Sequence, residues 1–447
     1  MLRGGDRRPT AEESALPPFR MSCPECRRQA VGSVRESPRE TGTPGAATHT
    51  DYSGRVQMKR AYKFRAYPTR PQEGRAARLL ADHCDLYNAA LEERREAWRR
   101  QSVNISYSTQ SAQLRAIRAG DPNGQGRHSF TAQQQTLRRL NVVFLSFYAR
   151  AQAGGAGYPR FKSYNRFQQV LFVAGDGARW EPAVGRWSYA RFRAVGSVKV
   201  RQHRPVTGMV KTLQLKREHR RWYVIIVADC EPVPLPATMR KAGVDVGVAR
   251  FLTTSAGDVV ANPRFLANAQ DVIANLQRRM ERARRESGNR KRIRRQLARE
   301  WRKVHSRRRD FHHKTARTLV NEFDVIALEK LNTRAMTRRP APRPDDAGAW
   351  LPNGAAAKAG LNKVILDVGW AQFMAILAGK AEEAGRRVVL VNPAHTSTNC
   401  HQCGARCHRP RQNLVICPEH GGIDADINAA RNIATRAGLG SGHTSTV

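Results

Sequence analysis

One acid inside an apolar strand constrains this chain more than any other feature. The segment Ala242-Gly243-Val244-Asp245-Val246-Gly247-Val248 has the valine-rich character of a buried strand. A carboxylate at its centre is costly to desolvate unless it is hydrogen-bonded, paired or bound to a cation. The anomaly returns at Asp324-Val325-Ile326-Ala327-Leu328, an apolar strand that runs straight into Glu329. A third acid, Asp426, stands two residues after Asp424 where a helix is expected to open. One acid is enough to cap that helix, so Asp424 takes the cap and Asp426 faces inward. Singly, each acid has an ordinary reading as a structural or capping residue. Together, three carboxylates from two strands and a helix can converge on two hard divalent cations, Mg²⁺ first among them, about 4 Å apart. Such a pair activates water and stabilises the leaving oxygen in phosphodiester cleavage.

Charge supplies the substrate class. Lys plus Arg number 78 against 37 for Asp plus Glu, a formal net charge of +41. Such an excess repels itself unless a polyanion neutralises it, so nucleic acid is the expected partner and a small neutral substrate is not. The charge is densest between Arg278 and Arg309, where 16 of 32 residues are Lys or Arg and three are Glu. A solvated helical hairpin accounts for part of this; the uncompensated excess points to a phosphate-facing surface. No apolar run approaches the length of a membrane span, and the charged first twenty residues do not read as a secretory leader.

The chain reads as a multidomain α/β protein. Residues 1–57 are rich in Pro, Gly, Ser and Thr without periodicity and are expected to be a disordered extension. They contain Cys23 and Cys26, half of a four-ligand site with no second half nearby. Order is expected from Met58, in an alternating strand that stops at Pro68. A helical lobe follows between 70 and 155, with helical spacing over Pro71 to Arg100 and again over Thr131 to Gln152. A small β domain comes next, with strands near 198–200, 210–215 and 222–228. A helix is expected near 360–384 and a strand at 387–391.

Near the end stands Cys400-His401-Gln402-Cys403, then Cys417-Pro418-Glu419-His420-Gly421-Gly422. Two knuckles with this spacing make a closed tetrahedral Zn²⁺ site from Cys400, Cys403, Cys417 and His420. Cys407 and His408 are near enough in sequence to compete with His420. Clustered cysteines of this kind suit a reducing cytoplasm rather than a disulfide framework.

In order along the chain, several motifs carry a resemblance: Ala61-Tyr62-Lys63-Phe64-Arg65-Ala66-Tyr67-Pro68, Tyr158-Pro159-Arg160-Phe161-Lys162-Ser163, Gly243-Val244-Asp245-Val246-Gly247, Ala327-Leu328-Glu329-Lys330-Leu331, the two knuckles preceded by Thr396-Ser397, and Asp426-Ile427-Asn428-Ala429-Ala430-Arg431-Asn432. From about 58 to 440 the chain resembles TnpB, the RNA-guided DNA endonuclease of certain insertion sequences, related to type V CRISPR effectors. The resemblance implies a wedge β domain at 58–69 and 170–235, interrupted by a helical recognition lobe at 70–169. It also implies a RuvC nuclease domain of RNase H-like fold, split between 240–395 and 423–440, around a zinc element at 396–422, with a flexible tail at 441–447. Asp245, Glu329 and Asp426 fall on the family's three metal-binding acids. His420 departs from the four cysteines usual in its zinc element.

The implied partners are a guide RNA transcribed near the transposon end and a double-stranded target DNA beside a short flanking motif, with the work done in the cytoplasm on the nucleoid. Other readings keep parts of this picture: a nuclease-inactive RNA-guided repressor, a miniature CRISPR-associated effector, or an end-joining transposase, for which no tyrosine–histidine pair stands out. The aromatic residues Tyr62, Phe64, Tyr158 and Phe161 suit base stacking or core packing equally.

Overall fold

The computed structural model describes residues 49–50, 56–155, 157–346 and 350–440. The disordered-extension reading of residues 1–57 falls largely outside these, as do Cys23, Cys26 and the tail at 441–447. His49–Thr50 (β1) pairs with the start of Val56–Tyr67 (β2), so strand pairing begins slightly upstream of Met58. Among the described residues the chain divides into two compact units, 59–230 and the residues from 231 onward, with 49–50 and 56–58 grouped with the second.

In the first unit β2 joins Gln169–Val173 (β3), Ala178–Glu181 (β4), Trp187–Phe192 (β5), Gly196–Arg201 (β6), Met209–Glu218 (β7) and Arg221–Cys230 (β8), in the order β3-β7-β8-β2-β6-β5-β4. A bridge between Ala174 and Ala178 brings the two ends of this sheet together, so it is close to a barrel. Strict alternation drives it: Trp222, Val224, Ile226, Ala228 and Cys230 are buried along β8, and the residues between them are not. Tyr62, Phe64 and Ala66 line the same core from β2.

Pro68 stops β2, and Thr69 caps the helix Arg70–Gln101 (α1). The Thr69 hydroxyl accepts from the Gln72 amide, and the Gln72 side chain accepts from the Thr69 amide, a reciprocal capping box. Tyr107–Gly120 (α2) and Phe130–Gln152 (α3) complete the helical part. The polar sequence of α2, with only Gln110 and Leu114 buried, hid it from the periodicity argument.

The second unit is built on a five-stranded sheet of Lys241–Val246 (β9), Arg250–Thr254 (β10), Val259–Ala261 (β11), Val325–Glu329 (β12) and Arg387–Val391 (β13), ordered β11-β10-β9-β12-β13. β9, β12 and β13 run parallel, and β10 and β11 are antiparallel additions. The expected charged hairpin is present as Gln270–Arg282 (α4) and Gly288–Glu322 (α5). One face of the sheet, with Ala242, Val244, Ile326 and Leu328, packs on α5 and on Ala355–Val368 (α6) and Trp370–Glu383 (α7).

The sequence suggested no membrane span, yet among the described residues Ala355–Glu383 is long and apolar enough to qualify. Gly369, at φ 72°, breaks it into α6 and α7, and Ile365, Val368, Trp370, Phe373, Leu377 and Ala381 are buried in the core on the sheet. These buried residues cover the sheet, while Leu361, Val364 and Leu366 of the same stretch are exposed.

Beyond β13, a three-stranded sheet of His408–Arg411 (β14), Leu414–Cys417 (β15) and Gly421–Asp424 (β16) leads without a break into Ala425–Arg436 (α8). This last helix packs on the opposite face of the five-stranded sheet, where Ile433 meets Ala327 and Val391.

Candidate functional site

Register and one glycine bring the three acids together. β9 and β12 are parallel with Leu328 beside Val244, so Asp245 and Glu329 occupy the next positions on neighbouring strands. The two-residue period puts Gly243 and Asp245 on one face, which is the face α8 covers. A Cβ on Gly243 would lie 2.1 Å from the Ala430 carbonyl oxygen and 2.5 Å from the Ala434 amide nitrogen. The helix backbone therefore rests directly on the strand. Asp426 is one turn before Ala430 on the same side of the helix, which carries its carboxylate toward Asp245.

Electrostatics show how near the acids are. Burial, then the charge of Glu329, then that of Asp426 push the Asp245 carboxyl up to about 7. Burial also raises Glu329, opposed by a hydrogen bond from the Thr396 hydroxyl. Asp426 is raised by burial and drawn back down by the guanidinium of Arg250. Asp424 caps α8, accepting from the amides of Asp426 and Ile427 at 3.1 Å each. Arg250 Nη1 lies 2.9 Å from Asp424 Oδ2 and 3.4 Å from Asp426 Oδ2. Arg409, on β14, is a second cation whose charge reaches both Asp245 and Asp426. The charges of Glu329 and Asp426 thus both reach Asp245, while Arg250 and Arg409 offset the charge of Asp426, and the three side chains offer the oxygen donors that hard divalent cations take.

The cysteine knuckles converge as well. One ligand atom from each of Cys400, Cys403, Cys417 and His420 lies within 4.8 Å of all the others. Cys403 Sγ is 3.5 Å from Cys417 Sγ, and His420 Nδ1 is 3.5 Å from Cys417 Sγ and 3.7 Å from Cys400 Sγ. Zinc–sulfur bonds of about 2.3 Å in a tetrahedron put sulfurs roughly 3.8 Å apart, so the cluster has the size of such a site. Gly404 at φ 75° and Gly421 at φ 66° close the two knuckle turns. His408 is not in the cluster. Cys407 stays near it, close enough for the charges of Cys400 and Cys417 to raise its thiol pKa after burial does.

Sequence comparison bears on both clusters. A family described as OrfB_IS605, "Probable transposase", matches residues 224–339, which hold Asp245 and Glu329. The "Cas12f1-like, TNB domain" matches 370–433, which hold the cysteine cluster and Asp426. A "Putative RNA-guided DNA endonuclease" of Streptomyces pristinaespiralis is 29% identical over 388 residues, 86% of this chain and 90% of that protein. The chain is a homologue of the TnpB/OrfB proteins.

Escherichia coli K12 has another such relative, a "Putative RNA-guided DNA endonuclease InsQ", 29% identical across 86% of this TnpB/OrfB homologue and 93% of its own length. A Cas12f1 protein, solved by cryo-EM with single-guide RNA and target DNA, shares the fold at a TM-score of 0.53. It is 13% identical, and the match covers 85% of this chain and 99% of that one. A family described as a helix-turn-helix domain matches 58–102, but that span here is one strand and the single helix α1.

The sequence argument singled out the three acids and the four metal-ligand candidates of the TnpB/OrfB homologue but missed Arg250, Thr396 and Arg409. Arg250 and Arg409 are hidden among 78 basic residues. Thr396 was noted only as a flanking residue, and its contact with Glu329 depends on a turn whose path the sequence does not specify.

Proposed function

We propose that the chain is an RNA-guided, metal-dependent DNA endonuclease of a transposable element, with Asp245, Glu329 and Asp426 as its catalytic acids. The observation that carries the reading is the register that sets Asp245 beside Glu329 on the face covered by α8, where the charges of Glu329 and Asp426 both raise Asp245. The homology to proteins named as RNA-guided DNA endonucleases gives the substrate class. The five-stranded sheet with helices on both faces serves as a RuvC domain of RNase H-like fold. The near-barrel serves as a wedge domain and the three helices α1 to α3 as a recognition lobe. Guide RNA and target DNA would occupy the basic surfaces of this molecule, and base pairing would supply sequence specificity.

The residues divide the work. Asp245, Glu329 and Asp426 would hold the divalent cations, Mg²⁺ being the hard ion this oxygen set suits. When bound, the cations supply the Lewis acidity that makes a nucleophile of water and stabilises the departing 3′ oxygen. Thr396 fixes the rotamer of Glu329 through its hydrogen bond. Arg250 and the Asp424 cap hold the first turn of α8, and with it Asp426, in register with the strands. Cys400, Cys403, Cys417 and His420 would hold one structural Zn²⁺, tying the two knuckles together.

The test is an Asp245→Ala variant loaded with the RNA of its native locus and given a matched target in Mg²⁺. Cleavage should be abolished while RNA-dependent target binding is retained. An equal loss of binding would sink the catalytic assignment, and undiminished cleavage would remove Asp245 from the site.

A further inference from the structure

The four aromatics left open between stacking and packing separate clearly. Tyr62 and Phe64 are fully buried in the near-barrel, and Tyr158 packs between Phe144 and Phe147 with ring centroids 5.8 and 5.3 Å away. Phe161 is 45% exposed.

That exposure is built, because its segment is pinned on both sides. Asn88 of α1 accepts a hydrogen bond from the Lys162 amide and donates one to the Lys162 carbonyl, both at 2.9 Å, as a strand partner would. The Cys84 thiol donates to the same carbonyl at 3.2 Å. Downstream, the amides of Arg166 and Phe167 close a turn onto the Ser163 carbonyl, and Phe167 is buried beside Tyr87. The Tyr164 hydroxyl donates to Asp85 at 2.8 Å. The ring of Phe161 is therefore held in water by residues on either side of it in the chain.

Residues 157–168 contain Arg160, Lys162 and Arg166 and no acid. Arg160 and Arg166 are exposed. A preset aromatic face flanked by cations matches the two surfaces of an unpaired nucleotide, the base plane and the phosphate. A regular duplex offers no free base plane. The cationic pattern of the segment, with Arg160 and Arg166 exposed on either side of Phe161, is not that of an apolar protein interface.

We propose that Phe161 is a stacking platform for an unpaired base of the bound RNA, with Arg160 and Arg166 on the adjoining phosphates. Folded RNA presents such bases in loops and junctions before any target DNA is opened, which suits a platform formed without a partner. The inference rests on the RNA-guided reading above.

The experiment cross-links a short uridine-rich single-stranded RNA to the full chain with ultraviolet light and locates adducts by mass spectrometry. Affinities for that RNA, a DNA of the same sequence and a duplex RNA are measured alongside. The wild type should carry an adduct on the peptide holding Phe161. Phe161→Ala should lose it and bind the single-stranded RNA about 5- to 150-fold more weakly, the range for losing one stacked base. The salt slope should stay unchanged because no phosphate contact is removed, and Phe161→Trp should restore both adduct and affinity. Adducts elsewhere but none at Phe161, or unchanged affinity in Phe161→Ala, would overturn the platform alone. A larger loss for DNA than for RNA would overturn the assignment to RNA. Lower melting temperature in Phe161→Ala without rescue by Phe161→Trp would make the ring structural and overturn the proposal. RNA adducts nowhere on the chain would instead remove the RNA-guided reading itself.

Discussion

Two histidines in the helical part show what burial does to a titratable ring. His83 and His128 are buried with ring centroids 5.3 Å apart; His83 Nδ1 bonds the Thr136 hydroxyl, and His128 Nε2 bonds Asp82. Burial, then the charge of His128, brings the His83 pKa down to about 3. His128 is lowered too, chiefly by burial. A histidine whose folded pKa is depressed binds fewer protons than its unfolded counterpart, so its contribution to stability is present above about 6.5 and is lost as pH falls below it. Between pH 6.5 and pH 5, His83 alone should remove about 1.6 kcal/mol, since each unit is about 1.4 kcal/mol per proton and the unfolded ring is half protonated at the start. Chemical denaturation of the wild type at the two pH values should show it, and His83→Gln should flatten the dependence. A pH-independent midpoint would refute the burial argument. At the same scale, Asp245 and Glu329 were legible because a carboxylate breaks the apolar grammar of a strand. Thr396, Arg250 and Arg409 break no such grammar, and only the folded chain brings them near the acids.

Elements are joined at single points that sequence rules partly reveal. Gly243 resembled one more small residue in a strand; the packing of α8 on it gives it a function. Gly243→Ala would drive a Cβ into the Ala430 carbonyl, so the helix must lift or the variant must unfold. Overpacking of this kind costs about 1–3 kcal/mol. A thermal melt should show that loss together with reduced cleavage in the fraction still folded, because Asp426 moves with the helix. Retained cleavage would mean that α8 tolerates displacement. The cysteine cluster makes a second joint. Cys400→Ser should lower the zinc-to-protein ratio measured by mass spectrometry and expose 396–424 to protease, and an unchanged ratio would remove Cys400 as a ligand.

Strands β9, β12 and β13 were legible as apolar runs. β3, β4 and β5 were not singled out within the β domain, since in Trp187–Phe192 the aromatics are interleaved with Ser188, Ala190 and Arg191 rather than forming an apolar run. The break at Gly369 was missed because α6 and α7 share one apolar face, and periodicity carries across a glycine without showing a change of direction.

For the whole molecule, charge dominates. The formal +41 was plain from composition, and so was the class of partner, but not which basic residues meet phosphate. On α5, Arg294, Arg299 and Lys303 are exposed. If all three contact RNA phosphates, replacing them with alanine should reduce the slope of log affinity against log salt by about 2, at roughly 0.7 per contact on a single strand. Filter binding across a salt series reads this directly, and an unchanged slope would place the phosphates elsewhere. Fold class and candidate site were thus readable where burial and charge conflict. Orientation and exposure, as for Phe161 against Phe64, were not, because both residues sit in similar basic–aromatic strings.

The seating of α8 on Gly243 also has a consequence for biosynthesis. Two of the three acids are made early and lie on adjacent strands, while the third arrives only with the helix Ala425–Arg436. During translation, then, a prematurely terminated polypeptide would lack Asp426, the acid that the proposed site needs from this helix. On the proposed reading, the third acid joins the other two only once that helix has been synthesised and docked.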